Sequence, residues 1–159
     1  MKKILFLLAV LPVFLVSCSD DSKEQTVLID VFYRFESHTD REIATPTVVK
    51  LYDYEEAKNF DKKNSVSSMA NSLNIVMPDG SVPRPRYTSN SISGINTIQG
   101  VKNGKYLAIV FFKPDGFTFD IFFYYGYKVI NVNKDTSTKL YDLVFTWDTK
   151  YSGKFYSFD

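Results

Sequence analysis

Apolar and polar residues alternate along several stretches of the chain, the first of which runs from Val27 to Phe35. Its odd-numbered positions are all apolar, whereas its even-numbered positions include Asp30 and Arg34. A period of two places successive side chains on opposite faces, so the pattern predicts a β-strand with one face in a core. A second strand is predicted over 47–54, directly after Pro46. Further strands are predicted over 95–101, 105–113, 117–125, 127–133, 138–148 and 154–158.

Turn-forming residues separate these predicted strands. Glycine in Asn103-Gly104, Gly126 and Ser152-Gly153, and the sequence Pro114-Asp115-Gly116, suit tight reversals. The stretch 105–113 is apolar on both faces, which predicts a central strand. Roughly seven to eight short strands at intervals of about ten residues predict a mainly β fold, a single antiparallel β-sandwich. We assign this domain to 27–159.

The polar segment 55–94 interrupts the strand pattern. Apolar residues at helical spacing between Ser65 and Leu73 predict a short helix laid on the sandwich. The next residues, 74–77, predict a strand that ends at the turn Pro78-Asp79-Gly80. The stretch 82–87 contains two prolines and is expected to be extended and exposed. We therefore treat 55–94 as an insertion in the sandwich.

The first eighteen residues carry a localisation pattern. Two lysines precede an apolar run over 4–16, which is shorter than the roughly 18 residues that a transmembrane helix needs. The run ends in Leu15-Val16-Ser17-Cys18, which resembles the lipobox of bacterial lipoproteins. The resemblance implies a signal peptide over 1–17, a diacylglyceryl group and an N-acyl chain (palmitate, for example) on Cys18, and a lipidated tether over 18–26. The alternative is an ordinary secretory peptide followed by an incidental cysteine.

Residues after Cys18 refine the expected location. Ser19-Asp20-Asp21 resembles the acidic export signal of Bacteroidetes-type surface lipoproteins. The resemblance implies an outer-membrane protein, anchored by its lipid and displayed on the cell surface. The alternative is a solvated polar linker, and the periplasmic or surface-facing orientation stays open.

Composition narrows the function classes. The chain has 159 residues, a net charge of +1, one cysteine and one histidine. One cysteine excludes an internal disulfide, and a near-neutral charge argues against a nucleic acid partner. His38 lies among carboxylates in a polar loop without a nucleophile motif beside it. We therefore expect that the protein is not an enzyme. We also expect that it has no catalytic residues, no metal and no cofactor apart from the covalent lipid on Cys18.

The aromatic content is high, with 14 Phe, 11 Tyr and 1 Trp. Most of the phenylalanines are expected in the core, whereas tyrosine tolerates water at its hydroxyl. An exposed aromatic platform that binds a glycan or a protein partner is one interpretation, and ordinary sheet-face tyrosines are the other. The candidate residues are Tyr124, Tyr125, Tyr127, Tyr151 and Tyr156.

Two arginines complete the set of candidate binding residues. Arg84 and Arg86 alternate with prolines and suit contacts with carboxylates, or belong simply to an exposed loop. The sequence thus predicts a membrane-anchored, non-catalytic binding module with a glycan or an envelope protein as partner. The alternative is a hydrolase or a protease-inhibitor-like accessory lipoprotein that uses the 55–94 region.

A second resemblance lies at the turn before the central strand. The motif Gly100-Val101-Lys102-Asn103-Gly104-Lys105-Tyr106, with a strand on each side, is similar to a corner of prealbumin-like (transthyretin-like) domains. The stretch 48–53 is similar to an early strand of those domains. The resemblance implies a β-sandwich and assigns no functional residue.

Overall fold

Nine strands and two short helical segments, one over 54–57 and a turn over 62–65, make up most of the described chain. A computed structural model of the protein describes residues 24–35, 40–65, 73–112, 124–134, 140–147 and 155–157. In chain order, the elements are β1 (Glu24–Phe35), β2 (Glu42–Ile43), β3 (Thr47–Asp53), α1 (Tyr54–Ala57), β4 (Tyr87–Ser91), β5 (Ile95–Lys102), β6 (Gly104–Phe112), β7 (Tyr124–Val132), β8 (Leu140–Trp147) and β9 (Phe155–Ser157).

The strands form two sheets that pack face to face. In the first sheet, β2 and β5 pair antiparallel with β1, and β8 pairs with β1 in parallel. The second sheet has the order β4-β3-β6-β7-β9, antiparallel except for the parallel pair β7-β9. The predicted mainly β sandwich is confirmed, and two of its strand pairs, β1–β8 and β7–β9, are parallel. These pairs join strands that are far apart in the chain, so local turn signals carry no information about them.

The core between the sheets follows the alternation that the sequence shows. In β1, Val27, Ile29, Val31 and Tyr33 are buried, as predicted. They share one cluster with residues of β3, β5 and β7 and with the even-numbered side chains of β6, which are Tyr106, Ala108, Val110 and Phe112. One face of each sheet is thereby removed from water.

A second cluster covers the outer face of the second sheet. Leu107, Ile109 and Phe111, the odd-numbered residues of β6, are buried there. Ala57, Phe60 and Ile75 pack over them from the segment that follows β3, which we call the cover segment (54–65 and 73–77). The cover segment explains why β6 is apolar on both faces. β6 is also paired on both edges, so the predicted central strand is confirmed.

Within the cover segment, the predicted strand over 74–77 is wrong. Val76 instead bonds to the preceding loop: its carbonyl accepts from the Asp61 amide at 2.8 Å, and its amide donates to Ser65 Oγ at 2.8 Å. Residues 62–65 form a helical turn, and most of the predicted helix lies outside the described residues. The turn at 78–80 is confirmed by a bond from the Gly80 amide to the Met77 carbonyl of 2.9 Å.

Three further boundaries differ from the predictions. β1 begins at Glu24, so the end of the predicted 18–26 tether is part of the sandwich. The strand β4 falls in the predicted insertion, where its polar sequence shows no apolar face. Gly126 is not a turn: it lies within β7, paired with Val110 on one side and with Tyr156 on the other. The predicted strand over 117–125 lies outside the described residues except for its last two positions.

The chain crosses between the sheets through short corners. The β2–β3 corner contains the cis Thr45-Pro46 peptide bond, and the β4–β5 corner contains Gly94. A buried amide links the sheets beside these corners, because Asn96 Nδ2 of β5 donates to Thr47 Oγ1 of β3 at 2.8 Å. Its other acceptors are the carbonyls of Ile29 and Gly94, each at 3.4 Å. No helix among the described residues is long and apolar enough to cross a bilayer.

Replacing Gly94 with alanine tests the β4–β5 corner. Gly94 and Gly80 share a φ of 83°, so alanine at either position should lose about 1–2 kcal/mol of stability from left-handed strain. A Cβ at Gly94 would also lie 2.0 Å from Ile43 Cγ2, whereas nothing lies within 4 Å at Gly80. We expect Gly94→Ala to lose about 1–3 kcal/mol more than the control Gly80→Ala in urea denaturation. Equal losses at the two positions would contradict the close approach.

Replacing Asn96 with aspartate tests the link between the sheets. The carboxylate has no hydrogen to donate and would face the three oxygens that Nδ2 now contacts. We expect Asn96→Asp to lower the free energy of unfolding at neutral pH by about 3 kcal/mol or more. Asn90, exposed on β4, gives the matched control Asn90→Asp, which should change it by less than about 0.5 kcal/mol. Similar values for the two variants would exclude the link as a stabilising contact.

Candidate functional site

A pocket of about 410 Å³ opens at one end of the sandwich. It forms where β3 ends, β4 begins and β5 passes into β6. Its volume falls within the range of about 300–1,000 Å³ that is typical of small-molecule sites. The lining residues are Asp53, Arg86, Tyr87, Lys102, Asn103 and Tyr106. We call this the corner pocket.

Two tyrosines hold the β5–β6 corner from both sides of its backbone. The Lys102 amide donates to Tyr87 Oη at 3.1 Å, and Tyr106 Oη donates to the Lys102 carbonyl at 2.9 Å. Their rings meet edge to face, with centroids 5.8 Å apart. A Cβ at Gly104 would lie 3.4 Å from the Tyr106 ring, so the corner is packed closely against it. The pocket wall is therefore held by hydrogen bonds as well as by ring packing.

The charged groups of the corner pocket are also held in place. Arg86 Nη2 donates to Glu56 Oε1 at 2.7 Å, and the Arg86 amide donates to the Leu51 carbonyl at 2.7 Å. Asp53 Oδ1 accepts from the Glu55 amide at 3.0 Å and caps α1. The Arg86 guanidinium group and the Asp53 carboxylate thus line one pocket, and each can form further hydrogen bonds beyond these contacts.

Asn103 contributes hydrogen-bonding capacity that the described residues do not use. Its Oδ1 is covered from solvent and has no hydrogen-bond partner in the described part of the chain. An amide oxygen can accept two hydrogen bonds, and a buried polar atom without a partner is costly.

The local environment also changes the acidity of Tyr106. Burial is the main cause that raises the pKa of Tyr106 to about 12, and the adjacent Tyr87 and Asp53 raise it further. Arg86 acts in the opposite direction. The hydroxyl therefore stays protonated at neutral pH and remains a hydrogen-bond donor to the corner.

Comparisons with protein-family models, with curated proteins and with solved structures find no match for this chain. Function is therefore argued from the sequence pattern and from the corner pocket. Among the described residues, no group of three or more His, Cys, Asp or Glu side chains is placed to hold a metal ion.

The structure corrects one predicted binding residue and explains another. Tyr125 is only 3% exposed and packs edge to face on Phe111, so it belongs to the outer cluster and not to an exposed platform. Tyr127 is half-buried beneath the cover segment, where Lys62 Nζ donates to its hydroxyl at 2.7 Å. Its ring also meets Phe60 edge to face. Both tyrosines therefore help to fasten the cover segment to the sheet.

The other residues that the sequence singled out lie in different parts of the molecule or outside the described residues. Arg86 lines the corner pocket, whereas Arg84 is exposed outside the set of lining residues. The backbone of Tyr124 lies in β7 and that of Tyr156 in β9, and their side chains are outside the description. Cys18, His38 and Tyr151 lie outside the described residues.

The sequence interpretation did not select Asp53, Tyr87, Lys102, Asn103 or Tyr106 as binding residues. The pocket joins three separate parts of the chain, and only the register of the strands brings them together. The spacing Gly100-x-x-x-Gly104-x-Tyr106 did mark the corner that forms one wall. The partners that face this wall had no corresponding local signal.

The pH dependence of stability tests the environment of Tyr106. The pKa of Tyr106 is raised from 10.0 to about 12 in the folded protein, so unfolding favours proton loss. This stabilising contribution is complete below about pH 10 and is lost as the pH rises towards 12. Urea denaturation from pH 9 to 12 should show a smaller loss for Tyr106→Phe than for the wild type. Burial also raises the pKa of Tyr52 to about 12, so Tyr52→Phe should show the same direction.

An unchanged pH dependence in Tyr106→Phe would contradict this assignment. The hydroxyl would then titrate in the same way in the folded and unfolded chains. Absorbance of tyrosinate in the folded protein gives an independent measure of the same proton.

Proposed function

We propose that this protein is a bacterial lipoprotein of the cell envelope, and that its β-sandwich is a non-catalytic binding module. The observation that carries the proposal is the position of Cys18 directly after an apolar run that is too short to span a bilayer. A thiol at that position, preceded by Leu15-Val16-Ser17, has the pattern that bacterial lipid transfer requires. The lipid groups on Cys18 are the anchor.

Lipid attachment gives a physical basis for stable membrane association. Burial of acyl chains contributes about 0.8 kcal/mol per CH₂, and two or more chains are needed for stable anchoring. A diacylglyceryl group together with an N-acyl chain meets that requirement. The acidic start Ser19-Asp20-Asp21 supports placement on the outer membrane with display at the cell surface.

The corner pocket supports the binding role. Both walls are held by hydrogen bonds, and the Arg86 and Asp53 side chains are positioned before any ligand arrives. Preorganised polar groups lower the entropy cost of binding. The partner is a glycan or an envelope protein.

The cover segment bears on the alternative hydrolase-like or inhibitor-like role. That role would use an exposed loop within 55–94, yet Ala57, Phe60 and Ile75 of this region are buried against the second sheet. The stretch 81–86 is largely exposed, and Arg86 there is ion-paired with Glu56. The binding-module role accounts for more of these contacts.

Replacing Cys18 tests the anchor. Cys18→Ala, produced in a Gram-negative host that processes lipoproteins, should abolish incorporation of an alkyne-labelled fatty acid. Because the signal peptide is then not cut at the lipobox, the chain should also migrate as the unprocessed precursor. Ser19→Ala keeps the lipobox and serves as the matched control, with labelling and processing as in the wild type. A Cys18→Ala protein that is still labelled and processed at residue 18 would overturn the proposal. Protease treatment of intact cells reports separately on surface display.

A further inference from the structure

The corner pocket lies at the end of the sandwich where the chain enters from the anchor. Glu24, the first residue of β1, pairs with Lys102, which lines the pocket. Six residue steps separate Cys18 from Glu24, and each spans at most about 3.5 Å, so the lipidated residue lies within roughly 20 Å of the Glu24 backbone. The pocket is therefore confined to the neighbourhood of the anchor.

The other end of β1 fixes the opposite direction. Tyr33 pairs with Glu42, and nine residue steps of about 3.3 Å place this end about 30 Å from Glu24. The exposed Ile92, in the β4–β5 corner, lies at that end because its carbonyl accepts from Thr45 Oγ1. Ile92 and the corner pocket thus mark opposite ends of the domain.

The lining of the pocket selects a chemical class of ligand. Arg86 and Lys102 donate hydrogen bonds, Asp53 accepts them, the Asn103 side chain adds an amide to the lining, and the half-buried Tyr87 offers part of an aromatic ring. A phosphate group would be repelled by the Asp53 carboxylate and by the Glu56 carboxylate that is bonded to Arg86. An ammonium group would meet two cations, and an apolar group would form no hydrogen bonds with the charged and amide side chains that line the pocket. A neutral saccharide, whose hydroxyl groups both donate and accept, matches the whole set.

We infer that the corner pocket faces the membrane that holds the anchor and binds a neutral saccharide at that surface. The orientation rests on the proposed lipid anchor, whereas the ligand class rests on the pocket alone. The saccharide is either the head group of a glycolipid in the same membrane or a glycan chain that lies close to it. The chemistry recognised is the same for both sources.

Binding experiments on the full-length lipidated protein test the ligand class. The detergent-solubilised protein is applied to an array of neutral and acidic glycans. In parallel, the protein is immobilised on beads, and co-sedimentation measures how much of a preparation of glucosyl-diacylglycerol vesicles the beads retain. Phosphatidylethanolamine vesicles serve as the reference. Signal on the array indicates a glycan chain, and binding of the glucosyl vesicles alone indicates a glycolipid head group. Preference for acidic glycans, or no response in both assays, overturns the inference.

Two variants locate the binding to the pocket. Arg86→Ala removes a pocket donor and should weaken binding by about tenfold or more, since a hydrogen bond to a charged group is lost. Arg84→Ala, an exposed arginine two positions away, is the matched control and should stay within about twofold. Asn103→Leu tests the pocket without disturbing the Arg86–Glu56 ion pair and should also weaken binding. Equal effects of Arg84→Ala and Arg86→Ala contradict the assignment.

Fluorescence quenching tests the orientation. Cys18 is consumed by the lipid, so a second cysteine can carry a dye: Lys105→Cys near the pocket and Ile92→Cys at the opposite end. In vesicles that contain lipids with quenching head groups, the dye at residue 105 should be quenched more strongly than the dye at residue 92. Equal or reversed quenching in vesicle-bound protein overturns the inference and leaves the anchor intact. A protein that fails to bind vesicles at all contradicts the proposed function instead, and saccharide binding in detergent is then still measurable.

Discussion

The β6 strand is apolar on both faces, and the rest of the domain follows from the need to cover both. Every residue from Tyr106 to Phe112 is buried. Each large apolar side chain gains about 1.5–3 kcal/mol when it leaves water, so an uncovered face would forfeit several such contributions. The first sheet covers one face, and the cover segment covers the other. Ser65 and Lys50 fasten the latter: Ser65 Oγ accepts from the Val76 amide, and Lys50 Nζ donates to the Leu73 carbonyl at 2.6 Å.

The same requirement places the polar groups of the corner pocket. The cover segment has to begin directly after β3 in order to reach Ile109 and Phe111, and α1 therefore follows Asp53 without a break. Asp53 caps this helix, and Glu56 within it meets Arg86 at the start of β4. The charged wall of the pocket is thus a consequence of how the outer face of the sheet is covered.

The sequence predicted those strands whose local apolar pattern matches their burial. The alternation in β1 correctly predicted that Val27, Ile29, Val31 and Tyr33 are buried, and the continuous apolar stretch identified β6 as central. The strand β4, with the sequence Tyr-Thr-Ser-Asn-Ser, was missed because pairing with β3 stabilises it without an apolar face. A turn was predicted at Gly126 because glycine is common in turns. Its extended backbone follows from pairing with strands on both sides, which the local sequence does not show. The corner pocket depends in the same way on non-local register, so Tyr87 and Tyr106 could not be paired from local spacing.

Strand direction also explains why the pocket and the chain entry share one end of the domain. Because β5 runs antiparallel to β1, β5 ends beside Glu24, and the chain turns there into β6. Because β3 runs antiparallel to β6, Asp53 at the end of β3 lies opposite Tyr106 near the start of β6. The start of β4 then returns to the same place, with Tyr87 opposite Leu51. A ligand site built from these strand ends cannot lie at the far end of the sandwich without a change of topology. Under the proposed lipidation of Cys18, the short stretch before β1 keeps any ligand of this pocket close to the membrane.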